Sequence, residues 1–207
     1  MIDEVSNNEH MKRFALSFQM LIRHDYPLFL IMTSLYENIS GLENEKNLTF
    51  LVRSPRIYVT SLNMNSIVSS YQQALGLSED ESLRYARMTK GYAFAFQLLG
   101  YLLFEGKESG ESEKTILAKY DQYLEELVYR KVWTGLSAVE KQILSLFDDD
   151  ATISVKAILD NLGMRKEYFS KYRERLIKKG IIISPSRGKL ALALPRFRRF
   201  MDSRFDF

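Results

Sequence analysis

The feature that most constrains this chain lies near its end, where Gly180 is followed by IIISPSRGKLALAL (181–194). Two β-prone apolar runs flank a tip, SPSRG, that contains Pro185 and Gly188, so the stretch reads as two strands of a hairpin. The segments before it must then be read as what that ribbon packs against.

Those segments are helical. Ser137 and Glu140 in SAVE have the spacing of a capping box, which opens KQILSLF. ISVKAILDNL and MRKEYFSKYRERLIKKG read as two more helices, separated by a turn at Gly163. Three helices followed by a two-stranded ribbon is the plan of a winged helix-turn-helix, expected here over 135–207.

In the third of these helices Phe169, Tyr172, Leu176 and Ile177 share an inward stripe. Lys166 sits near its start, and Ser170, Lys171, Arg175 and Lys178 point away, where a major groove could receive them. Arg187 and Lys189 bracket the hairpin tip, placed for phosphates or a minor groove. On the same outward face Glu167 and Glu174 stand four residues before Lys171 and Lys178, so an ordinary salt-bridged surface helix has the same pattern. Winged helices also dock on proteins, and that alternative stays open beside double-stranded DNA.

Charge is unevenly placed. Residues 1–150 carry 15 Lys/Arg against 21 Asp/Glu, whereas residues 151–207 carry 14 against 5. An acidic body with a basic C-terminal quarter is the footprint of a polyanion-binding segment, or else of a solvated basic surface. The last stretch, PRFRRFMDSRF (195–205), interleaves Arg196, Arg198, Arg199 and Arg204 with Phe197, Phe200 and Phe205. Such alternation can stack on bases, but the phenylalanines are better placed to pin a terminal helix onto the domain.

Several function classes drop out. The 207 residues contain no cysteine, which excludes disulfide frameworks and thiolate metal or redox chemistry and fits a cytoplasmic setting. The longest apolar stretch, AFAFQLLGYLLF (93–104), contains Gln97 and is too short to span a bilayer. His10 and His24 make no zinc signature, and Asp148, Asp149 and Asp150 read as a solvated acidic loop between helices. The middle section, 63–134, is wholly helical in pattern, with a capping box from Ser78 to Glu81 opening LRYARMTK.

The first section, 1–62, has different grammar. It opens on MIDEV, continues through an amphipathic helix in HMKRFALSFQMLI, and reaches an apolar run, PLFLIMTSL (27–35), that reads as a buried strand. A second β-branched run, RIYVTSL (56–62), follows a polar loop. Two such strands cannot make a stable buried sheet on their own, so a sheet begun before Met1 is expected.

IDEV, a helix, PLFLIMTSL and then LVRSPRIYVTSL resemble the second half of an AAA+ type ATPase core. The likeness is closest to the prokaryotic archaeal-ATPase group, related to origin-recognition and STAND-like P-loop NTPases. KGYAFAFQLLGYLL resembles that group's lid helix, and the hairpin running into Leu194–Pro195 resembles its terminal winged helix. The resemblance implies a mainly α chain with a truncated α/β remnant: a partial P-loop NTPase core (1–62), a helical lid (63–134) and a winged helix (135–207). It further implies that Asp3 is the Mg²⁺-ordering carboxylate and Glu4 the catalytic base. Thr33 or Ser34 would be the sensor of the attacked phosphate, and Arg53 or Arg56 an arginine offered to a neighbouring subunit. Plain loop and strand-end roles fit these last four residues as well. Ala93 replaces the family's proline, and Gln97 is the polar residue nearest the missing lid arginine.

No G-x-x-x-x-G-K-[ST] occurs anywhere in the sequence. The expectation is therefore the C-terminal part of a longer ATPase. ATP and Mg²⁺ belong to the parent, no cofactor is expected for this chain alone, and a homo-oligomer or a P-loop-bearing partner is implied. Uncovered apolar surface around 28–35 is expected as well.

Overall fold

The computed structural model describes residues 1–34 and 36–204, and it divides into two compact units, Met1–Val59 and Thr60–Phe207. The described residues are mainly helical, with one three-stranded antiparallel sheet.

In the first unit, helix α1 (Glu9–Arg23) starts where the Asn8 side chain accepts the Met11 N–H at 2.9 Å. Glu9 in its first turn and Arg23 in its last suit the helix dipole. The helix links two extended stretches that run parallel. Ile2 N–H donates to Ile31 O at 2.8 Å, Thr33 N–H to Ile2 O at 3.0 Å, and Val5 N–H to Thr33 O at 2.9 Å. Helices α2 (Tyr36–Glu43) and α3 (Thr49–Val52) complete a small core of Val5, Ala15, Leu42, Leu48 and Leu51.

Neither strand expected in this unit forms. PLFLIMTS contributes only the Ile2–Met32 bridge, and Phe29 is 96% and Ile31 60% exposed. In RIYVTSL no strand appears, and Ile57 and Val59 are 93% and 94% exposed. An apolar run becomes a buried strand only when neighbours take its ladder bonds and cover its faces. Among the described residues only the 1–5 stretch does so, along one edge. Leu35, the end of the expected strand, lies outside the described residues.

The second unit opens with α4 (Met64–Leu75), α5 (Glu79–Thr89), α6 (Ala93–Ser109) and α7 (Glu113–Leu124). A π-helical turn (Glu125–Tyr129) carries α7 into α8 (Arg130–Thr134). Asn63, Ser78 and Ser112 each cap a following helix, and Ser78 with Glu81 closes a full capping box. Gly91 (φ 75°) packs against the extended segment that enters the unit: a Cβ there would meet Leu62 O at 2.8 Å.

The chain continues through α9 (Ala138–Leu144), β1 (Ile153–Ser154), α10 (Val155–Leu162), α11 (Lys166–Lys178), β2 (Ile182–Ser186), β3 (Lys189–Leu192) and α12 (Phe197–Asp202). The sheet order is β1-β3-β2, with Ile153 opposite Leu190 and Ile182 opposite Leu192. Ser186 pairs with Lys189, so the turn is Arg187–Gly188 and is tighter than the SPSRG tip read from sequence. Pro185 is tolerated because β2 is an edge strand with a register irregularity between Ile183 and Ser186. Strand β1 takes the first two residues of ISVKAILDNL, whose sequence pattern is that of a helix throughout. One hydrophobic core, from Ile67 to Met201, runs beneath both the helical section and the C-terminal elements.

Candidate functional site

Helix α11 and the β2–β3 tip form the candidate surface. Phe169 and Leu176 are fully buried and Tyr172 half-buried, which fixes which face of α11 turns outward. Ile177 differs from its expected inward place and sits on the exposed rim. Lys166, Ser170, Lys171, Arg175 and Lys178 lie on the exposed side. The Ser170 hydroxyl donates back to Lys166 O at 2.8 Å, and Lys178 pairs with Glu174 at 2.5 Å. Arg175 stands over the Tyr172 ring at 5.9 Å, while the Tyr172 hydroxyl donates to Tyr168 Oη at 2.9 Å.

The hairpin is fastened to the start of α10. Val155 N–H donates to Gly188 O at 2.9 Å, and Ser154 both pairs with Lys189 and caps α10 by accepting the Ala157 N–H at 3.0 Å. Arg187 and Lys189 are thereby held on either side of an anchored glycine. Among the described residues, Lys166, Lys171, Arg187 and Lys189 form no ion pair.

At the far end of α11 one cation turns inward. Lys179 Nζ donates to Gly135 O at 3.2 Å and lies 3.5 Å from the buried Glu140 carboxylate. That carboxylate accepts the Ser137 N–H at 2.8 Å and its hydroxyl at 2.9 Å, the capping box expected there. Burial pushes the Glu140 carboxyl up, but the two Ser137 bonds and Lys179 together hold it below the ordinary value.

The basic tail is otherwise employed. Arg196 and Arg199 both bind Asp121, the first through two hydrogen bonds and the second at 2.9 Å. Arg204 pairs with Glu125 at 2.7 Å, inside the π-helical turn. Arg198 donates to Ser145 O at 2.8 Å and Phe147 O at 3.0 Å and pairs with Asp202 at 2.7 Å. Phe197 and Phe200 are buried against Tyr129, with ring centroids 5.0 and 5.7 Å away, and the Tyr129 hydroxyl donates to Pro195 O. The tail is a clasp over α7 and the π turn. Phe205 lies outside the described residues.

The acidic cluster at 148–150 is not wholly solvated either. Asp149 accepts the Arg198 N–H at 3.0 Å, and Lys90 Nζ donates to Asp149 O and reaches Leu192 O at 3.4 Å. Burial lowers the Lys90 pKa and raises that of Asp149. Pairs this far apart in sequence leave no local signal.

In the first unit the parallel pairing brings Asp3 and Thr33 together, and the Thr33 hydroxyl donates to Asp3 Oδ1. That bond, then the Glu4 N–H at 3.0 Å, holds the Asp3 carboxyl below its ordinary value. Ser34 donates to Val5 O, and Glu4 is exposed with φ 51°, an uncommon conformation for a residue with a side chain. Arg56 pairs with Glu43 at 2.9 Å; Arg53 is exposed at the end of α3 with no bond to Asp3. Asp3 and Thr33 would suit a hydrated Mg²⁺, but the sequence holds no G-x-x-x-x-G-K-[ST] loop to cradle phosphates beside them. The residues present therefore do not make a site for the phosphates of ATP. Gln97 lines an aromatic-rich groove of about 450 Å³ between α4 and α6, with Tyr71, Phe96 and Tyr101. Among the described residues no cluster of three metal-ligating side chains occurs, and no helix is long and apolar enough to cross a membrane.

No curated protein and no solved structure matches the chain. A family profile described as "Domain of unknown function (DUF8462)" matches residues 126–201, from the π-helical turn through α11 and the hairpin to the tail clasp.

Proposed function

We propose that the C-terminal section is a winged helix that binds double-stranded DNA, with α11 in the major groove and the Arg187–Gly188 tip against the backbone. The observation that carries this reading is the sorting of charge. The tail arginines are neutralised by Asp121, Glu125 and Asp202, whereas Lys166, Lys171, Arg187 and Lys189 face solvent without an ion-pair partner among the described residues. Cations left unpaired on one helix and one adjoining tip are what counterion release from a duplex requires. Fluorescence anisotropy with random-sequence duplex tests it. Affinity should fall steeply with salt, and Lys171→Ala, Arg187→Ala and Lys189→Ala together should flatten the log–log slope by about 2–3. Absence of binding at low salt would instead favour a protein as the docking partner.

A second reading rests on the Asp3–Thr33 contact. A carboxylate and a hydroxyl brought together by two parallel extended stretches, bridged at Ile2 and Met32 and joined by a helix, resemble the Walker B and sensor positions of an AAA+ core. We infer that the first unit is related to that part of such an ATPase. The chain alone should show no Mg²⁺-dependent ATP turnover. Turnover that appears on adding a P-loop-bearing partner, and disappears with Asp3→Asn, supports the relation; turnover unaffected by Asp3→Asn removes it.

A further inference from the structure

We infer that Glu167 is the base-reading residue of this surface and that it selects a cytosine; the inference rests on the DNA reading above. Three of the glutamates in the first turns of helices can be compared, two at N3 and Glu167 at N2. Glu81 and Glu140 fold back onto their N-cap serines, each accepting the serine N–H and hydroxyl. Glu167 does not. The N-cap of α11 is Arg165, which makes no side-chain cap bond, and among the described residues the Glu167 carboxylate has neither a hydrogen bond nor an ion pair.

It is exposed in the first turn of α11, between Lys166 and the Ser170–Lys171 step. In helix-turn-helix docking the first turns of the recognition helix reach base edges, while flanking cations hold phosphates. Glu174, the other acid on this face, is already matched by Lys178. An unmatched carboxylate is repelled by phosphate oxygens, so this face can close on a duplex only if Glu167 meets a hydrogen-bond donor. The cytosine N4 amine is the major-groove donor that pairs naturally with a glutamate. Ser170 supports that geometry: its hydroxyl proton is committed to Lys166 O, which leaves it an acceptor towards the groove.

Selection of bound sites from a randomised duplex library, with the full chain and with Glu167→Ala and Glu167→Gln, tests the inference. Wild-type sites should share one C·G pair whose replacement weakens binding about 5- to 100-fold. Glu167→Ala should bind at least as tightly overall and lose preference at that position. Glu167→Gln should shift it towards adenine, which a carboxamide can read in both directions. The salt slope should not change in either variant. Binding without base preference, or an unchanged cytosine in Glu167→Ala, overturns the inference and leaves the DNA reading standing. If no duplex binds even at low salt, both fall. A glutamate serving only the helix dipole would shift the melting temperature alone.

Discussion

Two basic stretches of the second unit have opposite fates. In 195–204 all four arginines find internal carboxylates, and two of them converge on the single acid Asp121. In α11 and the hairpin tip, Lys166, Lys171, Arg187 and Lys189 remain without an ion-pair partner among the described residues. The phenylalanines explain the difference. Phe197 and Phe200 pull α12 onto Tyr129 and Trp133, and this burial carries the arginines between them to the acidic side of α7 and the π turn. Helix α11 buries one stripe only, so its opposite face has nothing to meet. Net charge of a segment therefore overstates its reach towards a polyanion whenever aromatic residues are interleaved with the cations.

The strongest way to break this comparison is Asp121→Asn. Arg196 is 18% exposed and would keep its guanidinium in place without a carboxylate. Losing one partner of a fully buried pair costs about 3–5 kcal/mol and of an exposed pair about 0–1, so a loss of about 2 kcal/mol is expected. Urea denaturation followed by Trp133, the sole tryptophan, reads this directly, since its ring stands edge-on to Phe200 at 6.0 Å. The same variant frees two arginines, so its salt slope for duplex DNA should steepen by about 1–2. An unchanged slope, together with a flatter one in Arg199→Ala, would mean that the tail already contacts DNA, and the two stretches would then be alike. By contrast, Lys171→Ala, Arg187→Ala and Lys189→Ala should leave the unfolding free energy within about 0.5 kcal/mol of wild type.

What could be read from sequence follows the range of the interactions. Both serine–glutamate capping boxes and the outward face of α11 depend on residues within one or two turns, and they are legible. The hairpin was legible too, but β1 was not, because two residues pairing with β3 carry no periodicity. The strands expected at 27–35 and 56–62 show the reverse limit. Their composition is β-prone, yet a strand exists only with its neighbours, and those runs lack them among the described residues. The Asp121 and Glu125 partners of the tail, and the Lys90–Asp149 tie, join residues 59 to 79 positions apart, so no local pattern announces them.

A finer test contrasts two lysines, one in the middle of α11 and one at its C-cap. Lys171 faces solvent, whereas Lys179 is held between Gly135 O and the Glu140 carboxylate. Glu140 is ionised more readily in the fold than its ordinary value of 4.5 implies. A depressed carboxyl pKa contributes stability that is present above the unfolded value and is lost as pH falls through the folded one. Glu140→Gln retains a carbonyl acceptor for Ser137 but removes the charge facing Lys179. It should cost about 1 kcal/mol near neutral pH. The gap between wild-type and variant urea midpoints should then narrow as the pH drops below 4.5. Lys179→Met would close the same gap from the other side, whereas Lys171→Met should not affect it. A gap independent of pH would make Glu140 a neutral cap and Lys179 a bystander. The outward lysine of α11 and the inward lysine at its C-cap would then differ in position but not in what they hold together.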